Sequence, residues 1–359
     1  MLAYLKKRFQ KAKRWIRLNT DQISERKVHF DFTPIMGTKT PKAERLVEYC
    51  LGNFSQQPIL PCSGRRSYLR RRSVLLINAN HNTLFVAANH GRNHRDQKMI
   101  INALLTHRAK IPPDLRAWMI RGDSAGVHTD PREGIHLSGM RPKSRRDLVL
   151  VPTSCRNRFL GPALEQQLDE LKKKWVPWEK KSDTAWWGGA LTGDCWSNAK
   201  PSILTRRDVL QYFVKQPSER VSFHLTQVPK KTLPIDGLKV EAGFTKQSAF
   251  AHKCLLLLPG NDIASGSSWY FAGNSVVLMP EPNLEHILHF EMEPWKHYVP
   301  LDLHPSDVLA KLQWVIENPG KAQEIVSNSH ERLRWLCGPE YLWACNEVLR
   351  RITQSRTQD

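Results

Sequence analysis

The sequence has 359 residues, a formal net charge of +20 and a pI near 9.8. The hydrophobic share of 40% and the charged share of 25% are typical of a globular protein, and no stretch approaches the roughly 18 uninterrupted apolar residues of a spanning helix. An integral membrane protein is therefore excluded, the length allows two domains, and the excess of cations predicts nucleic acid, anionic lipid or a phosphorylated substrate as partner.

Residues 1–20 predict a basic amphipathic helix, because apolar side chains recur at steps of three and four between lysines and arginines. We expect this helix to lie on an anionic membrane surface; the alternative is a helix packed on the body of the protein with its charges in water. The segment has no apolar core of a secretory signal, and the seven cysteines contain no C-x-x-C pair. We therefore expect a cytoplasmic protein, peripheral to the inner membrane, with free thiols and no zinc site.

A second basic run, residues 65–72, precedes a predicted strand at 73–78. Only Tyr68 interrupts it with an aromatic ring, and no motif of a nucleic-acid-binding fold is present. The run is typical of a solvated loop, and nucleic acid is an unlikely partner.

The middle of the chain predicts a strand at 84–88, a helix at 95–109 and a strand at 116–120 that ends close to Asp123. A carboxylate at the carboxyl end of a parallel strand lies where α/β proteins place their reactive groups, so Asp123 is a candidate general base. From the residue pattern alone, a helix cap or an Asx-turn is the more common role of such an Asp. Asp130 and Glu133 are the alternatives if the strand register differs.

A helix at 164–174 leads into a segment rich in Pro and charge, which indicates a linker and a domain boundary after residue 180. A strand and a glycine loop follow at 184–193. The apolar run 254–258 then stops at Pro259-Gly260, small residues continue to Gly266, and a short helix leads to a strand at 274–280. Such a corner suits a nucleotide phosphate, although an ordinary βα turn fits the spacing equally well. A dehydrogenase is the weaker interpretation, because no G-x-G-x-x-G is present.

His297 and Tyr298 stand before a short predicted strand, where a His is more often a packed, hydrogen-bonded residue than a catalytic one. Amphipathic helices are predicted at 306–317, 321–336 and 341–352. Together these elements alternate strand and helix through the second half of the chain, which predicts an α/β fold.

Three motifs stand in the order found in glycosyltransferase family 90: GNDIAS followed by an aromatic residue, then NSVVLMPEP, then EPWKHYVPL. The chain resembles this family, in its bacterial type, from about Ile111 to about Ile352. The family includes lipopolysaccharide-modifying and capsule-associated enzymes and the animal protein O-glucosyltransferases. The motifs are specific as a set and weak individually.

The resemblance implies a GT-B-like fold, in which two Rossmann-like domains face each other across a cleft. It places an acceptor-side domain at 21–180, with a helix at 340–356 crossing back to it, and a nucleotide-sugar-binding domain at 181–339. It further implies an inverting transfer of a hexose or pentose from a UDP-sugar to a lipopolysaccharide, glycolipid or other glycan, with Asp123 as base and with no metal or other cofactor.

The family's donor-binding positions correspond here to Thr192, Gly193, Arg206, Gly260, Asn261, Asp262, Ala264 and Ser265. His297 and Tyr298 are expected to support the site. Trp186, Trp187, Gly189 and Ala190 also match, but Gly188 and Tyr270 stand where the family usually has Arg. Arg206 or Arg207 is the candidate replacement for these cations. The alternative is a degenerate glycosyltransferase fold that binds anionic lipid or nucleic acid.

Overall fold

The computed structural model describes residues 23–26, 37–53, 74–78, 84–87, 116–120, 135–150, 162–193 and 203–354, the last range without residues 231, 262 and 265. These residues form two compact units, one drawn from residues 1–36, 43–155 and 343–359 and the other from residues 37–42 and 156–342. The sequence placed the boundary at 180/181. In the described part of the chain, no helix is both long and apolar enough to cross a bilayer.

The first unit contains a six-stranded sheet in the order β1-β3-β2-β4-β5-β7. Its strands are β1 (Ile23–Arg26), β2 (Val74–Asn78), β3 (Leu84–Ala87), β4 (Arg116–Ile120), β5 (Ile135–Ser138) and β7 (Val149–Leu150), and β6 (Met140–Pro142) lies between β5 and β7 in the sequence. The predicted strands at 73–78, 84–88 and 116–120 are confirmed.

This sheet is mixed, whereas a Rossmann-like half would be parallel. The pairs β1/β3, β2/β3 and β2/β4 are antiparallel, and β4/β5 and β5/β7 are parallel. The physical reason is the connection between β2 and β3: residues 79–83 are too few for the crossover of a dozen or more residues that parallel strands need. The strand that leads to Asp123 has a parallel neighbour on one side only.

The second unit contains a five-stranded sheet in the order β13-β11-β10-β8-β9, parallel throughout. Its strands are β8 (Ser182–Ala190), β9 (Val221–Gln227), β10 (His252–Leu256), β11 (Val276–Pro280) and β13 (Val299–Leu301), and β12 (Leu284–His286) follows β11. The predicted Rossmann-like character of this half is confirmed.

Helices connect and cover these strands. They are α1 (Pro41–Leu51), α2 (Pro162–Lys172), α3 (Arg206–Lys215), α4 (Lys246–Phe250), α5 (Ser267–Phe271), α6 (Asp307–Glu317), α7 (Pro319–Trp335) and α8 (Pro339–Gln354). Most of α8 belongs to the first unit, because that unit takes up the chain again at residue 343.

The second sheet is covered on both faces, as the alternation of side chains along β8 requires. Trp187 joins a core with residues of α3 and α6, among them Val209 and Leu312. Its neighbour Trp186 lies in an aromatic group with Phe244, Trp269 and Tyr270. The interior strand β11 therefore reads as a continuous apolar run, VVLMP, and the carboxyl ends of the strands meet at one edge.

Candidate functional site

The strand order of the second sheet locates a crevice between β8 and β10. Numbered by their sequence in the chain, the five strands of this sheet lie in the order 2-1-3-4-5. The chain therefore passes from β8 to β9 on one side, and the later strands β10, β11 and β13 lie on the other side. In open α/β sheets, ligands bind outside the carboxyl ends of the strands at such a switch point. The glycine loop after β8 and the Pro259-Gly260 corner after β10 both lie there.

These two loops are joined directly to each other. The backbone N–H of Gly193 donates to Oδ1 of Asn261 at 2.9 Å. Gly193 has a φ of +107°, which L-residues with a side chain rarely adopt, and a Cβ there would lie 3.0 Å from the carbonyl oxygen of Pro259. Glycine is therefore required for the loops to approach this closely.

Arg206 extends its guanidinium across the same point. Its Nη1 donates to the carbonyl of Ala190 at 2.8 Å and to Oγ1 of Thr192 at 2.7 Å, and its Nε donates to the carbonyl of Leu258 at 3.2 Å. The guanidinium lies 5.8 Å from the centroid of the Trp187 ring. A buried cation thus binds the ends of β8 and β10 together at the switch point. We call Thr192, Gly193, Arg206, Gly260 and Asn261 the cradle.

The sequence around α3 determines which of two neighbouring arginines enters the cradle. Thr205 caps the helix in a capping box with Asp208, and Arg206 is the first helical residue. Arg207, next along the helix, turns away and donates to the carbonyl of Leu233 at 2.7 Å. Of the two candidates, the structure therefore places Arg206 at the carboxyl edge.

Gly260 packs directly against two other groups of the cradle. A Cβ at this position would lie 3.0 Å from Nη2 of Arg206 and 3.2 Å from Oγ1 of Thr192. A side chain here would crowd both groups, whereas glycine allows its backbone to lie directly beside a positive charge. This combination suits close approach of an anion such as a phosphate.

The structure gives a physical reason for the two departures from the family pattern. A Cβ on Gly188 would lie 2.3 Å from the Trp186 ring and 2.6 Å from the Phe244 ring, so an Arg does not fit here without moving aromatic side chains. Tyr270 is 3% exposed and packs against Trp269 at 4.3 Å between centroids. The aromatic group fills the space that two cations would need.

Tyr270 nevertheless remains close to the cradle. Burial raises the pKa of its hydroxyl above the usual range, while a hydrogen bond with the Gly188 backbone and the charge of Arg206 act in the opposite direction. The phenol is neutral at physiological pH. It supplies a polar atom, but no charge, near the position where the family has a cation.

The structure therefore brings together most of the predicted donor-binding residues. Thr192, Gly193, Arg206, Gly260 and Asn261 converge, and Ala264 lies just beyond them, where its carbonyl accepts from Oγ of Ser267 at 2.7 Å. Asp262, Ser265, Asp123, Asp130, Glu133 and residues 1–20 lie outside the described residues. The sequence did not reveal that the carbonyls of Ala190 and Leu258 would anchor Arg206, since neither contact is local.

His297 and Tyr298 stand at the amino end of β13, the edge opposite the cradle. Nδ1 of His297 accepts from the backbone N–H of Glu293 at 2.9 Å, and the two residues are also joined by a backbone bond of 3.0 Å. Burial and the nearby Arg332 lower the pKa of His297 to about 4, so it is neutral at physiological pH. Burial raises the pKa of Tyr298. Both residues hold a turn together.

Comparison with known proteins identifies a family that matches this part of the chain. Residues 162–335 match the model of glycosyl transferase family 90. The chain carries a family 90 domain. The match begins at α2, includes the whole parallel sheet and the cradle, and ends with α7, which confirms the resemblance carried by the three motifs.

The chain is also similar to curated relatives. The chain is 35% identical over 95 residues to protein O-glucosyltransferase 3 of Rattus norvegicus and 34% identical over 95 residues to its Homo sapiens counterpart, in each case 26% of this chain and 18% of the relative. It is 28% identical over 102 residues to the O-glucosyltransferase LpsA of Dichelobacter nodosus, 28% of this chain and 32% of the relative. The chain thus matches less than a third of the length of each of these relatives.

Proposed function

We propose that the chain is a glycosyltransferase that binds a UDP-sugar in the cradle and transfers its sugar to a glycan or glycolipid acceptor. The observation that carries the proposal is the convergence of Arg206, Gly193 and Gly260 at the switch point of a parallel sheet within a family 90 domain. A sugar nucleotide presents a diphosphate, and a buried guanidinium beside side-chain-free backbone suits that group.

Arg206 would contribute charge rather than a proton. An arginine remains protonated throughout the physiological range, so its role is to stabilise the diphosphate as it leaves with the negative charge of the broken glycosidic bond. The contacts to Ala190 and Thr192 hold the guanidinium in place before the ligand arrives. No reorganisation is then needed during the reaction.

The remaining details of the reaction belong to the same proposal. The transfer inverts the anomeric centre, Asp123 accepts the proton of the acceptor hydroxyl, and the donor binds without a metal ion. Glucose is the first sugar to test, because the relatives are named O-glucosyltransferases. The proposal also includes two facing domains with a cleft between them. The acceptor is of the lipopolysaccharide type and lies at a membrane surface, which the protein binds through residues 1–20.

The experiment that tests the proposal is binding of UDP, UDP-glucose, UDP-xylose and UDP-galactose to the full chain by calorimetry, with and without EDTA. We expect UDP to bind, one sugar nucleotide to bind more tightly, and EDTA to have no effect. The Asp123→Asn variant should keep this binding and lose transfer. Near-full transfer by that variant would remove Asp123 from the mechanism.

A second candidate is a degenerate fold that binds anionic lipid or nucleic acid. The observation that favours it is the aromatic group that fills the position of two family cations around Gly188 and Tyr270. A folded protein that shows no affinity for any uridine nucleotide, yet binds anionic vesicles through residues 1–20, would support this candidate.

A further inference from the structure

Strand β9 lies at one edge of the parallel sheet, and a later segment of the chain runs beside it. We call residues 239–244, which lie between β9 and α4, the edge segment. The backbone N–H of Glu241 donates to the carbonyl of Leu225 at 2.7 Å. The edge segment is thus joined to the backbone of β9, although the two are separate elements of the fold.

The side chain of His224, on β9, contacts the edge segment at two further points. Its Nδ1 lies 3.1 Å from Oε2 of Glu241, and its Nε2 is hydrogen-bonded to the carbonyl of Ala242. A carboxylate and a carbonyl both accept hydrogen bonds, whereas a neutral imidazole carries only one N–H. Both contacts are hydrogen bonds only when both ring nitrogens carry a proton. The geometry therefore fits an imidazolium that pairs with Glu241.

The same histidine contacts the ring of Phe244, at the end of the edge segment. The two ring centroids lie 5.5 Å apart in an edge-to-face arrangement. Phe244 packs against Trp186 at 4.7 Å between centroids, and its ring occupies the space that a side chain at Gly188 would need. His224 and Gly188 are register partners on neighbouring strands. The edge segment therefore places Phe244 within the aromatic group.

This aromatic group adjoins the cradle. Tyr270 lies 6.4 Å from Trp186 between ring centroids, is hydrogen-bonded to the Gly188 backbone, and lies close enough to Arg206 to be affected by its charge. Departure of the Phe244 ring would leave a cavity beside Trp186. The rings that support Tyr270, and with it one side of the cradle, would then be free to move.

We infer that His224 is a positioning residue for the donor site: as an imidazolium it holds the edge segment, and through Phe244 the aromatic group, against the cradle. The inference rests on the proposed function. Histidine changes its charge between about pH 5 and 8. Loss of the proton leaves one imidazole nitrogen facing an acceptor, so the edge segment is released and donor binding weakens as the pH rises.

Other titratable groups lie near this contact. Glu241 is the ionisable side chain that contacts the imidazole. His252 and Lys246 contact the aromatic group itself, each within 6.4 Å of one of its rings. Burial lowers the pKa of both side chains. A test of His224 must therefore separate its titration from theirs.

The test measures hydrogen exchange of the edge segment in the full chain across about pH 5 to 8.5, corrected for the intrinsic pH dependence of exchange. We expect protection in the wild type to fall about tenfold as the pH rises. His224→Gln should show the lower protection throughout, because an amide side chain cannot donate at both points. Glu241→Gln removes the opposite charge and should move the fall to lower pH. His252→Gln is the matched control and should keep the wild-type profile.

Calorimetry with UDP at the two ends of this pH series connects the edge segment to the donor site. UDP itself changes its phosphate charge over this range, so the quantity compared is the affinity ratio of wild type to His224→Gln. We expect the wild type to bind UDP about three- to tenfold more tightly at the acidic end and the ratio to approach one at the alkaline end.

The outcomes separate this inference from the proposed function. Wild-type protection that does not change with pH, or a fall that persists in His224→Gln, overturns the inference and leaves the donor site standing. An affinity ratio that is the same at both ends also overturns it, because His224 would then act on the edge segment alone. A folded wild type with the expected exchange profile that binds no UDP at any pH overturns the proposed function.

Discussion

The two edges of the parallel sheet each hold a buried cation, and the comparison between them shows what makes one of them a site. At the carboxyl edge, Arg206 is 9% exposed; at the amino edge, Lys181 is 5% exposed. Nζ of Lys181 lies 3.0 Å from Oδ1 of Asn274 and 2.9 Å from Oγ of Ser275, and it also donates to the carbonyl of Phe250. Both cations therefore bind strand ends together through neutral oxygen atoms.

The surroundings of the two cations differ. Arg206 lies beside Gly260, where a Cβ would come within 3.0 Å of its Nη2, at the edge where parallel sheets bind ligands. Lys181 is enclosed by the segments before β10 and β11, and its burial lowers its pKa to about 7. The carboxyl edge holds a permanent charge next to glycine backbone, and the amino edge holds a titratable group that joins strand ends within the protein.

Arg206→Gln gives the largest expected effect. It removes the buried charge beside the proposed diphosphate and loosens the contacts that join the two loops, so UDP affinity should fall by about 10- to 100-fold, the range expected for losing charge-assisted hydrogen bonds. Calorimetry with UDP measures this loss. The matched control is Lys181→Met at the other edge, which should leave UDP affinity unchanged in folded protein. Equal losses in the two variants would remove the distinction between the edges.

Substitutions at Gly188, within β8, and at Gly260, after β10, should separate effects on stability from effects on ligand binding. Gly188→Ala drives a Cβ into the Trp186 and Phe244 rings and should lower the free energy of unfolding by about 1–3 kcal/mol through overpacking. Gly260→Ala brings a Cβ within 3.0 Å of the Arg206 guanidinium and 3.2 Å of the Thr192 hydroxyl, so it should displace these groups and mainly weaken UDP binding. Urea unfolding and calorimetry on both variants test this. The expectation fails if Gly260→Ala is the less stable of the two.

The sequence predicted the elements of this region well, but not the side-chain contacts that join them. The helices expected at 306–317, 321–336 and 341–352 are observed as Asp307–Glu317, Pro319–Trp335 and Pro339–Gln354, because strong amphipathic periods and Pro or Gly punctuation define them locally. The short helix and strand after the Gly260 corner are confirmed for the same reason.

Contacts between residues that are distant in the sequence could not be predicted from such local patterns. The bond from Arg206 to Leu258 spans 52 positions in the chain, and nothing near either residue specifies it. The family motif identified the positions of the cradle. It did not indicate that the ring of Phe244, from a loop distant in the sequence, occupies the space that a side chain at Gly188 would need.

The pH dependence of stability should reveal Lys181. Its pKa is lowered to about 7 in the folded chain from 10.5 in the unfolded chain, so between these values the unfolded chain binds a proton that the folded chain does not. The contribution of Lys181 to the free energy of unfolding therefore rises with pH between about 7 and 10.5, and it is constant below about pH 7. The burial of Tyr270 and Cys254 raises their pKa values and acts in the opposite direction above about pH 9.

The measurement that isolates Lys181 is the free energy of unfolding of wild type and Lys181→Met at pH 6, 7 and 8.5. We expect the wild type to gain stability relative to the variant as the pH rises. Parallel pH profiles would mean that Lys181 keeps an ordinary pKa and remains charged in the folded protein.

The smallest expected effects come from two helix caps, and they bear on the same comparison. Thr205 caps α3 at the carboxyl edge, where Arg206 begins the helix, and Thr245 caps α4, where Oγ1 accepts from the N–H of Ser248 at 3.0 Å. Each Thr→Ala change should cost about 1 kcal/mol of stability, the usual value of a lost N-cap. Only Thr205→Ala should also weaken UDP binding, because the capping box fixes the direction of Arg206.

Thermal unfolding and UDP titration of the two variants decide this point. Both substitutions delete the same hydroxyl and methyl groups from the same kind of position. A difference in UDP affinity would therefore come from the position of Thr205 at the carboxyl edge of the sheet, and not from the loss of a helix cap. Loss of affinity in both variants would indicate that binding follows general stability. Loss in Thr205→Ala alone would show that the cradle depends on the local geometry that starts α3.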